Sequence, residues 1–200
     1  TEAVEEKHRD VKMTGEQWRT ALGLAVVAAS IVLSNVMITV RIPSVVEQVG
    51  HGTAQTAGII LAAMQFVGIL AGLAFSPLTQ LFRDRLLVVS GVAYGLTQLL
   101  IGVSTNLWML AIVTILAGFA YSVALTTVYN VLSDQMPAGV LSQATSIAVL
   151  GCSAGSIATT FVLSLLGTIS SAPAFIFGFS GILMILISFF GLWIVRKSGK

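Results

Sequence analysis

The sequence predicts an all-α membrane protein of six transmembrane helices with both ends on one side of the bilayer. Three observations carry that prediction. Of the 200 residues, 56% are hydrophobic and only 9% charged, and the mean hydropathy is +0.97, well outside the usage of soluble domains. Six apolar stretches follow one another, each close to the ~20 residues a helix needs to cross the hydrocarbon. The basic residues are also one-sided. Lys7, Arg9, Lys12 and Arg19 precede the first stretch, Arg83 and Arg85 separate the second from the third, and Arg196, Lys197 and Lys200 follow the last, leaving Arg41 alone on the opposite face. Cytoplasmic loops carry the excess of Lys and Arg, so both termini are expected in the cytoplasm, with the plasma (inner) membrane as the setting. The net charge of +2 comes from ends and loops rather than from a patch, which excludes nucleic acid as an expected partner.

Residues 1–19 hold five of the eight acidic and four of the ten basic residues. They read as a cytoplasmic linker or as an interfacial helix, the latter because Val4, Val11 and Trp18 recur every seven residues. Thr14 with Gln17 has capping-box spacing, so the first helix is expected to begin before its membrane portion. No cleavable signal pattern is present, and a chain opening on Thr1 reads as a fragment or a processed piece. The spans are expected at Thr20–Ile42, Ala54–Leu78, Leu86–Val103, Trp108–Val131, Ser142–Leu166 and Ala174–Val195, making a bundle over 20–195 with a short tail at 196–200. Pro43, Pro77, Pro137 and Pro173 are all expected at or beside helix ends, where a missing N–H does least harm. Trp18, Trp108 and Trp193 fall near boundaries, as interfacial aromatics do.

Polar residues within spans are costly unless they face protein or water. On the first span Ser30, Ser34, Met37 and Arg41 share a line, with Asn35 beside it. On the fifth, Ser142, Ser146, Ser153, Ser156 and Thr160 form one stripe, while Ala144, Ala148, Gly151, Gly155 and Ala158 form another nearly opposite. The fourth carries Tyr121, Ser122, Thr126, Thr127, Tyr129 and Asn130, the second Gln65, the third Tyr94 and Gln98, and the sixth is almost wholly apolar. Two readings stand for these residues: lining of a water-accessible path by spans one, two, four and five, or hydrogen-bonding between helices. Under the first, Asn35, Gln65 and Tyr121 are the mid-membrane contacts, joined by Ser34, Thr126 and Ser153. Arg41 is either a residue of the outer mouth or a snorkelling side chain. Gly68/Gly72, Gly91/Gly95 and Gly151/Gly155 are G-x-x-x-G pairs that allow close helix approach.

Catalysis is not expected. Gly151-Cys152-Ser153-Ala154-Gly155 matches G-x-S-x-G, but that motif needs a strand–turn–helix and a nearby His, whereas this Ser sits within a predicted helix and His8 and His51 lie outside the spans. No nucleotide loop, haem motif or metal cluster is present, so neither cofactor nor metal is expected. The lone Cys152 reads as a small packing residue. A six-helix pore, or a non-transporting sensor or scaffold acting as a homo-oligomer, stands as the alternative to a transporter.

From Gly58 through Gly68, Gly72, Ser76 and Pro77 to Arg83-Asp84-Arg85, the chain resembles the corresponding stretch of the major facilitator superfamily, whose second-to-third loop carries G-x-x-x-D-R-x-G-R-R. This copy is degenerate: Ser76 takes the first Gly position, Gln80 the acidic one, Leu81 the first basic one and Arg83 the second Gly, and Arg85 alone matches the closing basic pair. The stretch from Gly118 to Asn130 and on through Pro137, Gly139, Ala144, Gly151 and Gly155 is also similar to the C-terminal half of that family. The resemblance implies one half of a twelve-helix transporter, an inverted 3+3 repeat pairing with an N-terminal six-helix half, with a small-molecule substrate held between the halves and alternating access by rocking. It implies a gating or structural role for Arg83, Asp84 and Arg85, and places the glycine seams of spans two and five against the partner half. Glu47, Asp84 and Asp134, the only acids between Thr20 and Val195, lie near boundaries, so any coupling carboxylate is expected in the other half.

Overall fold

The computed structural model describes residues 13–50 and 52–198, and all of the regular structure among them is helical. Six α-helices follow in order: α1 Gly15–Gly50, α2 Ala54–Phe82, α3 Leu86–Gly102, α4 Leu107–Gln135, α5 Ala138–Ile169 and α6 Pro173–Ser198, with a 3₁₀ turn Arg83–Arg85 joining α2 to α3. Five are long and apolar enough to cross a membrane. α3, at 17 residues, rises about 26 Å and reaches the lower limit for a span.

The helix ends follow side-chain chemistry. The Thr14 amide donates to Gln17 Oε1 at 2.8 Å and the Gln17 amide to Thr14 Oγ1 at 3.4 Å, so the expected capping box starts α1 at Gly15. Thr53 caps α2, Asn106 accepts from the Met109 amide at 2.8 Å to start α4, and Pro137 and Pro173 open α5 and α6. Pro43 and Pro77 depart from the expectation that every proline marks an end: α1 runs on to Gly50 and α2 to Phe82 with these prolines inside. Membrane helices tolerate such breaks because nearby side chains and local adjustment re-satisfy the backbone. Around Pro43, Thr39 Oγ1 donates to the Asn35 carbonyl and Ser44 Oγ to that of Arg41.

Packing follows a two-fold pattern. The most extensive contacts join α1 to α5, α3 to α6 and α2 to α4; next come α3 with α4 and α1 with α6. Exchanging α1 with α4, α2 with α5 and α3 with α6 maps α1–α5 onto α2–α4, α3–α4 onto α1–α6 and α3–α6 onto itself, as an inverted 3+3 repeat requires. The α3–α6 contact shows the axis at residue level. A Cβ on Gly95 would meet the Gly181 carbonyl at 2.7 Å, and a Cβ on Gly181 would meet the Gly95 carbonyl at 2.7 Å. Gly102 likewise abuts Ala174, so the two helices run antiparallel in tight register.

The Gly151/Gly155 seam lies against α1 within this bundle, where a Cβ on Gly151 would sit 2.5 Å from the Ala25 carbonyl and one on Gly155 would collide with that of Ala29. On α2, Gly68 faces Gly118 of α4, while Gly72 meets nothing. Three of these four glycines therefore serve packing inside the half, which corrects their expected placement against a partner half. The reason is local: α5 approaches α1 too closely for a Cβ at Gly151 or Gly155, and α2 approaches α4 at Gly118, where a Cβ would collide with the Met64 carbonyl, while a Cβ on Gly68 would make ordinary contact at 3.4 Å.

The core draws on all six helices, with Leu24, Ile31 and Ile38 of α1, Met64, Tyr94, Leu110, Ala148 and Phe177 among its members. The bundle also presents broad apolar faces outward, including Phe66 and Leu73 of α2, Ile157 and Phe161 of α5, and Leu186 and Phe189 of α6. Such faces suit hydrocarbon, not water.

Candidate functional site

Halfway along α4, Tyr121 is half-buried. Its ring lies 5.9 Å from that of Tyr94 on α3, tilted by 54°. Two turns on, the Tyr129 hydroxyl contacts Cys152 Sγ of α5 at 3.6 Å. Tyr94 and Gln98, four residues apart on α3, are fully buried, and the Tyr94 hydroxyl and both amide atoms of Gln98 have no protein hydrogen-bond partner. Thr114 Oγ1 on α4 and Asn35 Oδ1 on α1 share that condition. Leaving such groups dry in a membrane interior costs about 1–3 kcal/mol each. These unpartnered groups lie on α1, α3 and α4.

The remaining sequence-selected residues divide. Ser153 follows Cys152, is exposed, and donates to the Val149 carbonyl of its own helix at 3.2 Å. Ser142, Ser146 and Thr160 of the same stripe are exposed with it, so α5 shows a small-residue face to α1 and a polar face to its surroundings. Gln65 is exposed on α2. Thr126 is exposed too, but about 140° around α4 from Tyr121. Ser34 is fully buried and accepts from Ser180 Oγ of α6 at 3.0 Å. The α1 line of Ser30, Ser34, Met37 and Arg41 thus turns toward α6 and the α5–α6 link; for Ser34 and Met37 the interhelical reading prevails.

Arg41 Nη2 donates to the Ser171 carbonyl at 2.8 Å, tying the far end of α1 to the α5–α6 link. At the opposite end, where the termini lie, a cavity of about 430 Å³ is lined by Thr79, Arg83, Thr127, Asn130, Asp134 and Gln135 among others. Asn130 Nδ2 donates to Asp134 Oδ2 at 3.3 Å, one helical turn away. Arg83 has φ 42° and ψ −124°, and is the one non-glycine residue with positive φ among the described residues. It occupies the position where the loop signature carries its second Gly, so the backbone retains the bend that glycine serves although the side chain has changed. Asp84 lies in the same 3₁₀ turn, and Arg85 is exposed at its end.

The family model of the Major Facilitator Superfamily matches residues 22–200. The chain belongs to the Major Facilitator Superfamily. Among curated proteins none matches its sequence. Membership in the superfamily, a family of transporters, makes it an integral membrane transport protein. Its G-x-S-x-G run carries no nucleophile geometry, since Ser153 sits inside a continuous helix with its hydroxyl bonded back to Val149. Among the described residues no cluster of three His, Cys, Asp or Glu groups suited to a metal occurs. Tyr94 and Gln98 lie on the third span, outside the four spans expected to line a path; their i, i+4 spacing on an apolar helix is the sequence signal of a shared buried face.

Proposed function

We propose that this chain is the C-terminal six-helix half of a secondary active transporter, moving a small solute by alternating access against an N-terminal six-helix half. The observation that carries the reading is the openness of α2 and α5. Only 17% of the most hydropathic window of each is buried, against 50% for α1 and 44% for α4. These two helices are exchanged by the pseudo-two-fold, and each leaves small or polar positions uncovered: Gly58 and Gly72 meet nothing within 4 Å on α2, and Ser142, Ser146 and Ser153 are exposed on α5. A second half seated there would cover both.

On this reading Tyr121, with Ser153, Gln65 and Asn35, faces the solute from this half through hydrogen bonds and aromatic contact rather than charge. Ser34 supports α1 through Ser180, and Thr126 acts at the flank. Arg83, Asp84 and Arg85 form the cytoplasmic hinge loop, residues 1–19 the link from the other half, and the end bearing the termini is cytoplasmic because the basic residues gather there. Arg41 then steadies the outer mouth. With its acids at helix ends, this half supplies no mid-membrane proton carrier, and any coupling carboxylate belongs to the other half.

Uptake assays with this chain expressed alone and together with the N-terminal half test the proposal. Transport is expected only with both, and robust uptake by this chain alone would refute it. Labelling of Cys152 by a small maleimide, slowed by a transported solute, is the matching readout for the site.

A further inference from the structure

We infer that Tyr94 and Ser180 are paired positioning residues, through which the α3–α6 pair fixes how α4 and α1 are turned about their own axes. On α4 this sets the face that carries Tyr121, a role that rests on the reading of Tyr121 as a solute contact. The α3–α6 pair is itself held in one register over about three helical turns. A Cβ on Gly91 would collide with Ser188 Oγ, Gly95 and Gly181 each leave room for the other's carbonyl, and Gly102 abuts Ala174.

Exchange of α3 with α6 maps Gly95 onto Gly181, and so maps Tyr94 onto Ser180, the residue just before each glycine. Both side chains are fully buried, and each reaches a helix outside the pair. The Tyr94 ring meets that of Tyr121 on α4, with centroids 5.9 Å apart, and Ser180 Oγ donates to Ser34 Oγ of α1 at 3.0 Å. The partners correspond too: the offset that carries Tyr94 to Ser180 carries Ser34 to Ala120, the neighbour of Tyr121. Equivalent places in the two repeats thus hold directional contacts. Apolar contacts are non-directional and leave a packed helix free to turn, whereas a tilted ring pair and a hydrogen bond each favour one setting. The Tyr94 hydroxyl has no protein hydrogen-bond partner, so its ring makes the contact.

Labelling by N-ethylmaleimide in the full-length transporter tests the pair, with one reporter for each helix. Cys152 reports on α4, because the Tyr129 hydroxyl contacts its sulfur at 3.6 Å. Ser30→Cys, one turn before Ser34, reports on α1 in a Cys152→Ser background. Tyr94→Leu is expected to speed labelling of Cys152 about two- to tenfold and to leave the α1 reporter unchanged. Ser180→Ala should speed the α1 reporter about threefold and leave Cys152 unchanged. Tyr94→Phe keeps the ring and should behave as the parent. Tyr121→Leu removes the same ring contact from its half-buried side and should match Tyr94→Leu, so the contact stays testable if Tyr94→Leu does not fold. An unchanged Cys152 rate, a rise at both reporters in either variant, or a Tyr94→Phe effect equal to that of Tyr94→Leu would overturn the proposal. If the labelling pattern holds while Tyr121→Ala leaves uptake intact, Tyr121 is no solute contact and the two braces stand.

Discussion

Arg83 holds the least comfortable backbone among the described residues. At φ 42° and ψ −124°, an L side chain sits where glycine is at ease, a strain of order 1–3 kcal/mol. Arg83→Gly is therefore expected to raise thermal stability in detergent by about 1 kcal/mol, while Arg83→Ala, which keeps the Cβ, should not. Equal behaviour of the two variants would assign the effect to the guanidinium instead. The opposite test applies to Gly155, whose missing Cβ lets the Ala29 carbonyl approach. Gly155→Leu should destabilise by roughly 1–3 kcal/mol through overpacking, whereas Gly72→Leu, in open space, should leave the unfolding midpoint nearly unchanged. Loss of the same size at both sites would contradict the packing assigned to them.

Elements differ in how much of them the sequence discloses. Six apolar runs of membrane length, the capping box at Thr14 and the openings at Pro137 and Pro173 were all legible, because hydropathy and caps are local properties. The extents of α1 and α2 were not, since a proline that ends a soluble helix is carried within a membrane helix once neighbours satisfy its backbone. Facing was the least legible. Ser34 lies on a polar line with Arg41, but periodicity shows only that a face exists, not whether water or Ser180 of α6 lies opposite. The same applies to Gly151 and Gly155, whose spacing signals close approach without naming α1 as the neighbour. Of the candidate contacts, the position of Tyr121 halfway along a span is readable, whereas the burial of Tyr94 and Gln98 on α3 depends on that helix turning inward. A double-mutant cycle on Ser34→Ala and Ser180→Ala checks the α1–α6 contact: a coupling of about 0.6 kcal/mol is expected for such a bond between membrane helices.

Across the whole molecule, orientation is the property most directly open to experiment. Basic residues crowd the end that holds the termini, the α2–α3 turn and the α4–α5 link. With Cys152 replaced by Ser, a single cysteine at Val49 should react with a membrane-impermeant maleimide on intact cells, and one at Ser133 only after the membrane is opened. The reverse pattern would invert the proposed topology.

The reciprocal contact of Gly95 and Gly181 also bears on how the protein is made. α3 has its most extensive contact with α6, which is made after it, and at ~5–20 residues per second their glycines emerge on the order of ten seconds apart. During that interval the glycine face of α3 waits without its mate. A chain truncated before Gly181 would present an unfinished groove within the bilayer, so the α3–α6 seam closes only once both of its glycines have been made.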